Sequence, residues 1–157
     1  MPLDLTIPER TASTCRAAMR FCARHRWAPL AEMPIPCGRR LDIMALTPEG
    51  CLFAIEVKSG PRDFLTDAKW PEYRQYADAL YFAVDGDFPR AMLPEDAGLI
   101  VACDGVAEVL REAPAHPLPA ARRRALLQRF AGAAALRLVA HEDPEALGAV
   151  RAALRAE

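Results

Sequence analysis

The chain has 157 residues, 52% of them hydrophobic and 26% charged, with a formal net charge of -1. This length fits one domain burying roughly two thirds of its unfolded surface, and the composition excludes a solvated or low-complexity tail. A near-zero charge also excludes a global cationic field of the kind that drives nonspecific nucleic-acid binding, so any such contact must be local.

No apolar run approaches the roughly eighteen residues of a membrane span, and the start, MPLDLTIPER, carries acids where a signal peptide would carry bases. The expected location is therefore cytoplasmic, with no membrane partner. Cys15, Cys22, Cys37, Cys51 and Cys103 are odd in number and contain no Cys-x-x-Cys pair. They argue against a disulfide framework or a zinc site and read as small core residues. Basic residues cluster at three places: Arg16, Arg20 and Arg24 recur every fourth residue, Arg39 and Arg40 are adjacent, and Arg122 to Arg124 form a run. The last reads as a solvated helix face.

In chain order, Thr11 to Trp27 is predicted helical, with Thr11 or Ser13 as cap and Cys15, Ala18, Met19 and Cys22 as its buried stripe. Pro29, Pro34 and Pro36 then bracket an extended segment that their missing amides confine to a sheet edge. Arg40 to Thr47 and Cys51 to Lys58 are short and apolar, joined by Pro48-Glu49-Gly50, the composition of a three-residue hairpin loop with a bulge. Pro61 to Ala68 and Pro71 to Asp78 are predicted as two helical pieces. Leu80 to Val84 and Gly98 to Cys103 are buried strands, and Asp104-Gly105 turns into a further one, VAEVL. A long helix follows Pro119, breaks at Asp143-Pro144, and is succeeded by a terminal helix. The order implies an α/β fold, a mixed sheet covered by helices.

The hairpin turn sets a register. With Thr47 opposite Cys51, Leu46 faces Leu52, Met44 faces Ala54, and Asp42 faces Glu56. Acids directly opposed across a strand pair are destabilising unless something positive lies between them. Lys58 shares the face of Glu56, while Ile55 and Val57 point the other way. Two carboxylates presenting oxygens to one point suit magnesium, or manganese, with water and phosphate completing its shell. A lysine beside them can orient an attacking water and steady charge growing on a phosphate. The expected chemistry is metal-assisted phosphodiester hydrolysis, with Asp42, Glu56 and Lys58 as catalytic residues.

At these residues the chain resembles the PD-(D/E)xK nuclease superfamily, and more narrowly the MmcB family of DNA repair proteins. The resemblance rests on GRRLDIMAL (Gly38 to Leu46), IEVK (Ile55 to Lys58), DFLTDAKWPEY (Asp63 to Tyr73), LYFAV, GLIVAC and REAP, and runs from about Thr11 to Leu138. It implies a restriction-endonuclease-like α-β-β-β-α-β core over about residues 11–112, with C-terminal helices over about 119–156, as one domain spanning 1–157. It implies Asp42 and Glu56 as metal ligands aided by the Val57 carbonyl, Lys58 as the catalytic cation, and DNA repair as the setting. Leu41 stands where the superfamily's proline would be. The first helix, read from Ala12 to Trp27, contains no acid, and Glu32 on the next segment is the candidate replacement.

Arg39, Arg40, Lys69, Trp70 and Tyr73 are candidate DNA contacts, since aromatic faces accept any base and cations accept phosphate. Phe64, Trp70, Tyr73 and Tyr76 read equally well as the fastening of their helix to the sheet. His25, His116 and His141 neighbour no candidate nucleophile in sequence. Two readings follow: a magnesium-dependent endonuclease-like protein, or a nuclease-fold module that binds DNA or another repair protein without cutting. Homodimerisation is an expectation of the fold, since many nucleases of this kind pair their sites.

Overall fold

The structure, a computed structural model, describes residues 6 to 156. Helix α1 (Ile7–Arg24) begins before the predicted Thr11. Its cap is Thr6, whose hydroxyl and amide both bond the Glu9 carboxylate, with Pro8 tolerated in the first turn. The helix also stops short of Trp27: His25 caps it, and Arg26 turns left-handed at φ 61°.

Strands β1 (Ala28–Pro34), β2 (Arg40–Leu46) and β3 (Leu52–Lys58) form an antiparallel meander. β1 lies at the sheet edge, where its prolines cost no ladder bond. Between β2 and β3 the Thr47 amide donates to the Cys51 carbonyl (2.9 Å), and Gly50 takes φ 84°, as the turn chemistry requires. Short helices α2 (Pro61–Thr66) and α3 (Trp70–Tyr73), the latter ending in a 3-10 turn, lead to β4 (Ala79–Asp85), which pairs parallel to β3. β5 (Gly98–Cys103) is parallel to β4, and β6 (Val106–Arg111) returns antiparallel across a turn in which Asp104 and Gly105 both have positive φ. The six strands lie in sequence order.

Each face of the sheet is covered. Ala17, Ala18, Phe21 and Cys22 of α1 pack on Ile43, Ile55, Val57 and Ile100. On the opposite face, Leu126, Phe130 and Ala133 of α4 (Ala120–Glu142) pack on Met44, Leu52, Ala54 and Leu80. A final helix, α5 (Leu147–Arg155), follows the break at Asp143-Pro144.

Two expectations need correction. Only Cys22 is fully buried; Cys15 and Cys51 are partly exposed, and Cys37 and Cys103 lie at the surface. Nor is Arg122 to Arg124 a simple solvated run. Arg123 makes a two-pronged bond to Asp78 (2.7 Å each), and Arg122 donates to the Gln75 carbonyl. The guanidinium finds a carboxylate fixed in the core, which sequence spacing does not display.

Candidate active site

Backbone pairing of β2 and β3 runs from Leu46 opposite Leu52 to Ile43 opposite Ile55. One step further the same register sets Asp42 against Glu56, and there side chains take over the bonding. The Val57 amide donates to Asp42 Oδ2 (2.8 Å), and the Asp42 amide donates to Glu56 Oε1 (3.3 Å). Each acid thus satisfies an amide of the opposite strand. Because the Val57 amide points toward β2, its carbonyl in extended backbone points the same way.

Lys58 lies on the Glu56 face of β3, and both are buried, at 4% and 3% exposure. With Asp42 they line a cleft of 480 Å³, which Arg40, Asp63, Asp67 and Tyr73 also border. Lys58 Nζ pairs with Asp67 Oδ2 at 2.5 Å, while the second oxygen of Asp67 accepts from the Lys69 amide (2.9 Å). Asp63 accepts from the amide and hydroxyl of Ser59 (2.9 and 3.1 Å), fixing the turn out of β3.

The electrostatics follow from burial. Loss of hydration raises the Asp42 carboxyl, against the opposing pull of the Val57 amide and Lys58. Glu56 is pushed up to about 8, first by burial and then by the charge of Asp42. Burial also pushes Asp67 upward, but the Lys58 ammonium and the Lys69 amide hold it below its ordinary value. Tyr73 is raised to about 12 by burial, then by Glu56, so it presents a neutral phenol to the cleft.

The raised Glu56 value makes a stability prediction for metal-free protein. The folded chain keeps a proton that the unfolded chain releases above about pH 4.5, so this group's stabilising contribution is lost as pH rises from there through about 8. Glu56→Gln removes the loss and retains an acceptor for the Asp42 amide. The variant is expected to be more stable than wild type at pH 8 by on the order of a few kcal/mol, the difference vanishing toward pH 4.5. Urea unfolding of both proteins in chelator checks it; a difference independent of pH contradicts it.

The remaining sequence candidates sit as follows. Glu32 has φ 52°, and the register between its neighbours sets it across β1 and β2 from Asp42. Its carboxylate pairs with Arg40 (3.3 Å), and its carbonyl accepts from Arg137 of α4 (2.7 Å). Although α1 begins early enough to include Glu9, that acid is held by Thr6, and the α1 residues bordering the cleft are Ile7 and Thr11. Arg39 is paired with Glu72 at 2.5 Å. Trp70 packs edge-on against Phe82 (5.2 Å between centroids) and beside Phe64, with the Arg74 guanidinium over its ring. Tyr73 is buried at the cleft, and Lys69 is exposed. Sequence reasoning missed the Lys58–Asp67 pair, because nothing in the spacing of residues nine apart across a helix end signals contact.

Among the described residues no three His, Cys, Asp or Glu side chains converge as a metal site. An ion at this ladder end would be offered two carboxylates and the Val57 carbonyl, all hard oxygens. The two ladder-end bonds engage one oxygen of each carboxylate and leave the other outside them. This set fits a magnesium-like ion whose remaining shell is water or phosphate.

Fold and site together define an α/β protein with paired carboxylates and a buried lysine at the end of a hairpin. The chain belongs to the MmcB-like family: the family model described as "DNA repair protein MmcB-like" matches residues 2–145. A solved structure, SPO1766 from Silicibacter pomeroyi, a protein of unknown function, is 42% identical with a TM-score of 0.81, over 91% of this chain and 96% of that one. No curated protein matches the chain. Among the described residues no helix is long and apolar enough to cross a membrane.

Proposed function

We propose that this DNA-repair family member is a magnesium- or manganese-dependent phosphodiesterase acting on DNA, built on a restriction-endonuclease-like core. The observation that carries the reading is the convergence of half-buried Asp42 with buried Glu56 and Lys58 on one cleft. The helix, three-strand meander, broken helix and parallel β4 support the core assignment by their order.

Asp42 and Glu56 would hold the ion with the Val57 carbonyl. A bound ion supplies Lewis acidity and a more acidic water. Lys58 presents a compact cation toward the cleft, suited to stabilising charge on a phosphate oxygen. Asp67 keeps that ammonium in place through a carboxylate itself tethered to the Lys69 amide. Tyr73 is a neutral hydrogen-bond donor at the same cleft.

A noncatalytic DNA-binding module is the second reading, favoured by one observation: two carboxylates converge at the ladder end where a third would strengthen the ion's hold, and Glu32 is paired with Arg40. Incubation with single-stranded, duplex, flap and branched DNA, with magnesium or manganese against chelator, separates the two. Metal-dependent scission of any substrate supports the enzyme. Retention of these DNAs without scission under every metal condition supports the module.

A further inference from the structure

We propose that the solvent face of α1 is a docking track for the phosphate backbone of duplex DNA, carried by Arg16, Arg20 and Arg24. The inference rests on the DNA-directed reading above and names a surface outside the candidate active site.

The three arginines are exposed, and the face opposite them, Ala17, Ala18, Phe21 and Cys22, is buried against the sheet. At four-residue spacing they share one side of the helix, and at about 1.5 Å rise per residue the stripe is about 12 Å long. That is the rise of roughly three to four base pairs along a duplex. Like charges at this spacing repel one another, which surface helices ordinarily offset with interleaved acids. Here the positions between and beside them are Ala12, Ser13, Met19 and Ala23, and the helix's one acid, Glu9, is held at the cap. Among the described residues no carboxylate pairs with Arg16, Arg20 or Arg24; Arg20 donates only to the Gly105 carbonyl, at 3.3 Å.

The contrast within the chain is the second part of the argument. Arg39 and Arg40, beside the cleft, are paired with Glu72 and Glu32. On α4, Arg122, Arg123 and Arg137 are committed to internal carbonyls and Asp78. In a chain of net charge -1, the α1 stripe is a concentration of cations left to meet an external anion. A regular row of guanidiniums fits a regular row of phosphates, with charge-assisted bonds and no requirement for base readout. The first two turns of the same helix border the cleft through Ile7 and Thr11, so a duplex held on the stripe is tied to the element that flanks Asp42 and Glu56.

The test is fluorescence anisotropy of labelled duplex DNA across a salt series, comparing wild type, Arg16→Glu/Arg24→Glu and Arg40→Glu. Arg20 is left unchanged because of its bond to Gly105, and circular dichroism with thermal melting confirms folding; a misfolded double variant is replaced by Arg16→Gln/Arg24→Gln. The inference expects the double variant to lose at least about tenfold in affinity and its log–log salt slope to fall by about 2, near 0.9 for each phosphate contact. Unchanged affinity and slope overturn it, and if Arg40→Glu alone loses binding, the DNA reading stands without the stripe. Loss of binding to poly-glutamate with DNA affinity intact assigns the stripe to an acidic protein partner and also overturns it. A wild type that binds no DNA removes both the inference and the reading beneath it.

Discussion

Lys58→Ala is expected to lower the rate of DNA scission by at least about 10²-fold, the scale seen when one preorganised donor to a developing charge is removed, while DNA affinity persists. Lys58 is buried and its partner Asp67 is largely so, which gives the ammonium a low-dielectric setting where a single charge has a strong effect. Removing it also strands Asp67, so part of any loss could come through the α2–α3 connection. Lys58→Met preserves the apolar stem, and adding Asp67→Asn relieves the stranded carboxylate without disturbing the acceptor used by the Lys69 amide. Chemistry that depends on the ammonium stays lost in the double variant even as stability recovers. Scission near the wild-type rate in either variant removes Lys58 from the catalytic machinery.

Asp78→Ala is expected to destabilise the fold by about 3–5 kcal/mol, the range for removing one partner of a buried, hydrogen-bonded charge pair. Asp78 is 4% exposed. Its carboxylate accepts from the amides of Leu52 and Leu118 (2.8 Å each) and from both ends of the Arg123 guanidinium. It therefore joins the start of β3, the loop before α4, and α4 itself. Alanine leaves two amides without their acceptor and a guanidinium without its anion, each with its own cost. Arg123→Ala in the Asp78→Ala background should cost less than Arg123→Ala alone, because the two act as one unit. Chemical denaturation of the four proteins gives the cycle; additive losses contradict the shared node.

Much of the hairpin at the site was legible because local chemistry determines it. Pro48-Glu49-Gly50 specifies a loop length, loop length specifies register, and a period-2 alternation then assigns Asp42, Glu56 and Lys58 their relation. The start of α1 was also written in the chain, as Thr6 followed three residues later by Glu9 with Pro8 between, but the stronger apolar stripe farther on drew the boundary toward Thr11. What no local signal carried were the pairings made in space. Asp78 and Arg123 are 45 residues apart, Arg39 and Glu72 are 33 apart, and Lys58 reaches Asp67 across a helix end. Trp70 was balanced between a stacking platform and a packing anchor; its contacts with Phe64 and Phe82 supply the anchor. Charge clusters were the least legible of all, because a run of arginines looks the same in sequence whether it meets water, a carbonyl or a buried aspartate.

Calorimetric titration of magnesium and manganese into wild type and Asp42→Ala, before any search for substrate, tests the central claim most directly. Saturable binding by wild type that disappears in the variant, strengthening as pH rises and the protons held by Asp42 and Glu56 leave, is the result the opposed-acid site predicts. Equal binding by the two proteins, or none by wild type with DNA present, would contradict a metal-dependent active site at this hairpin.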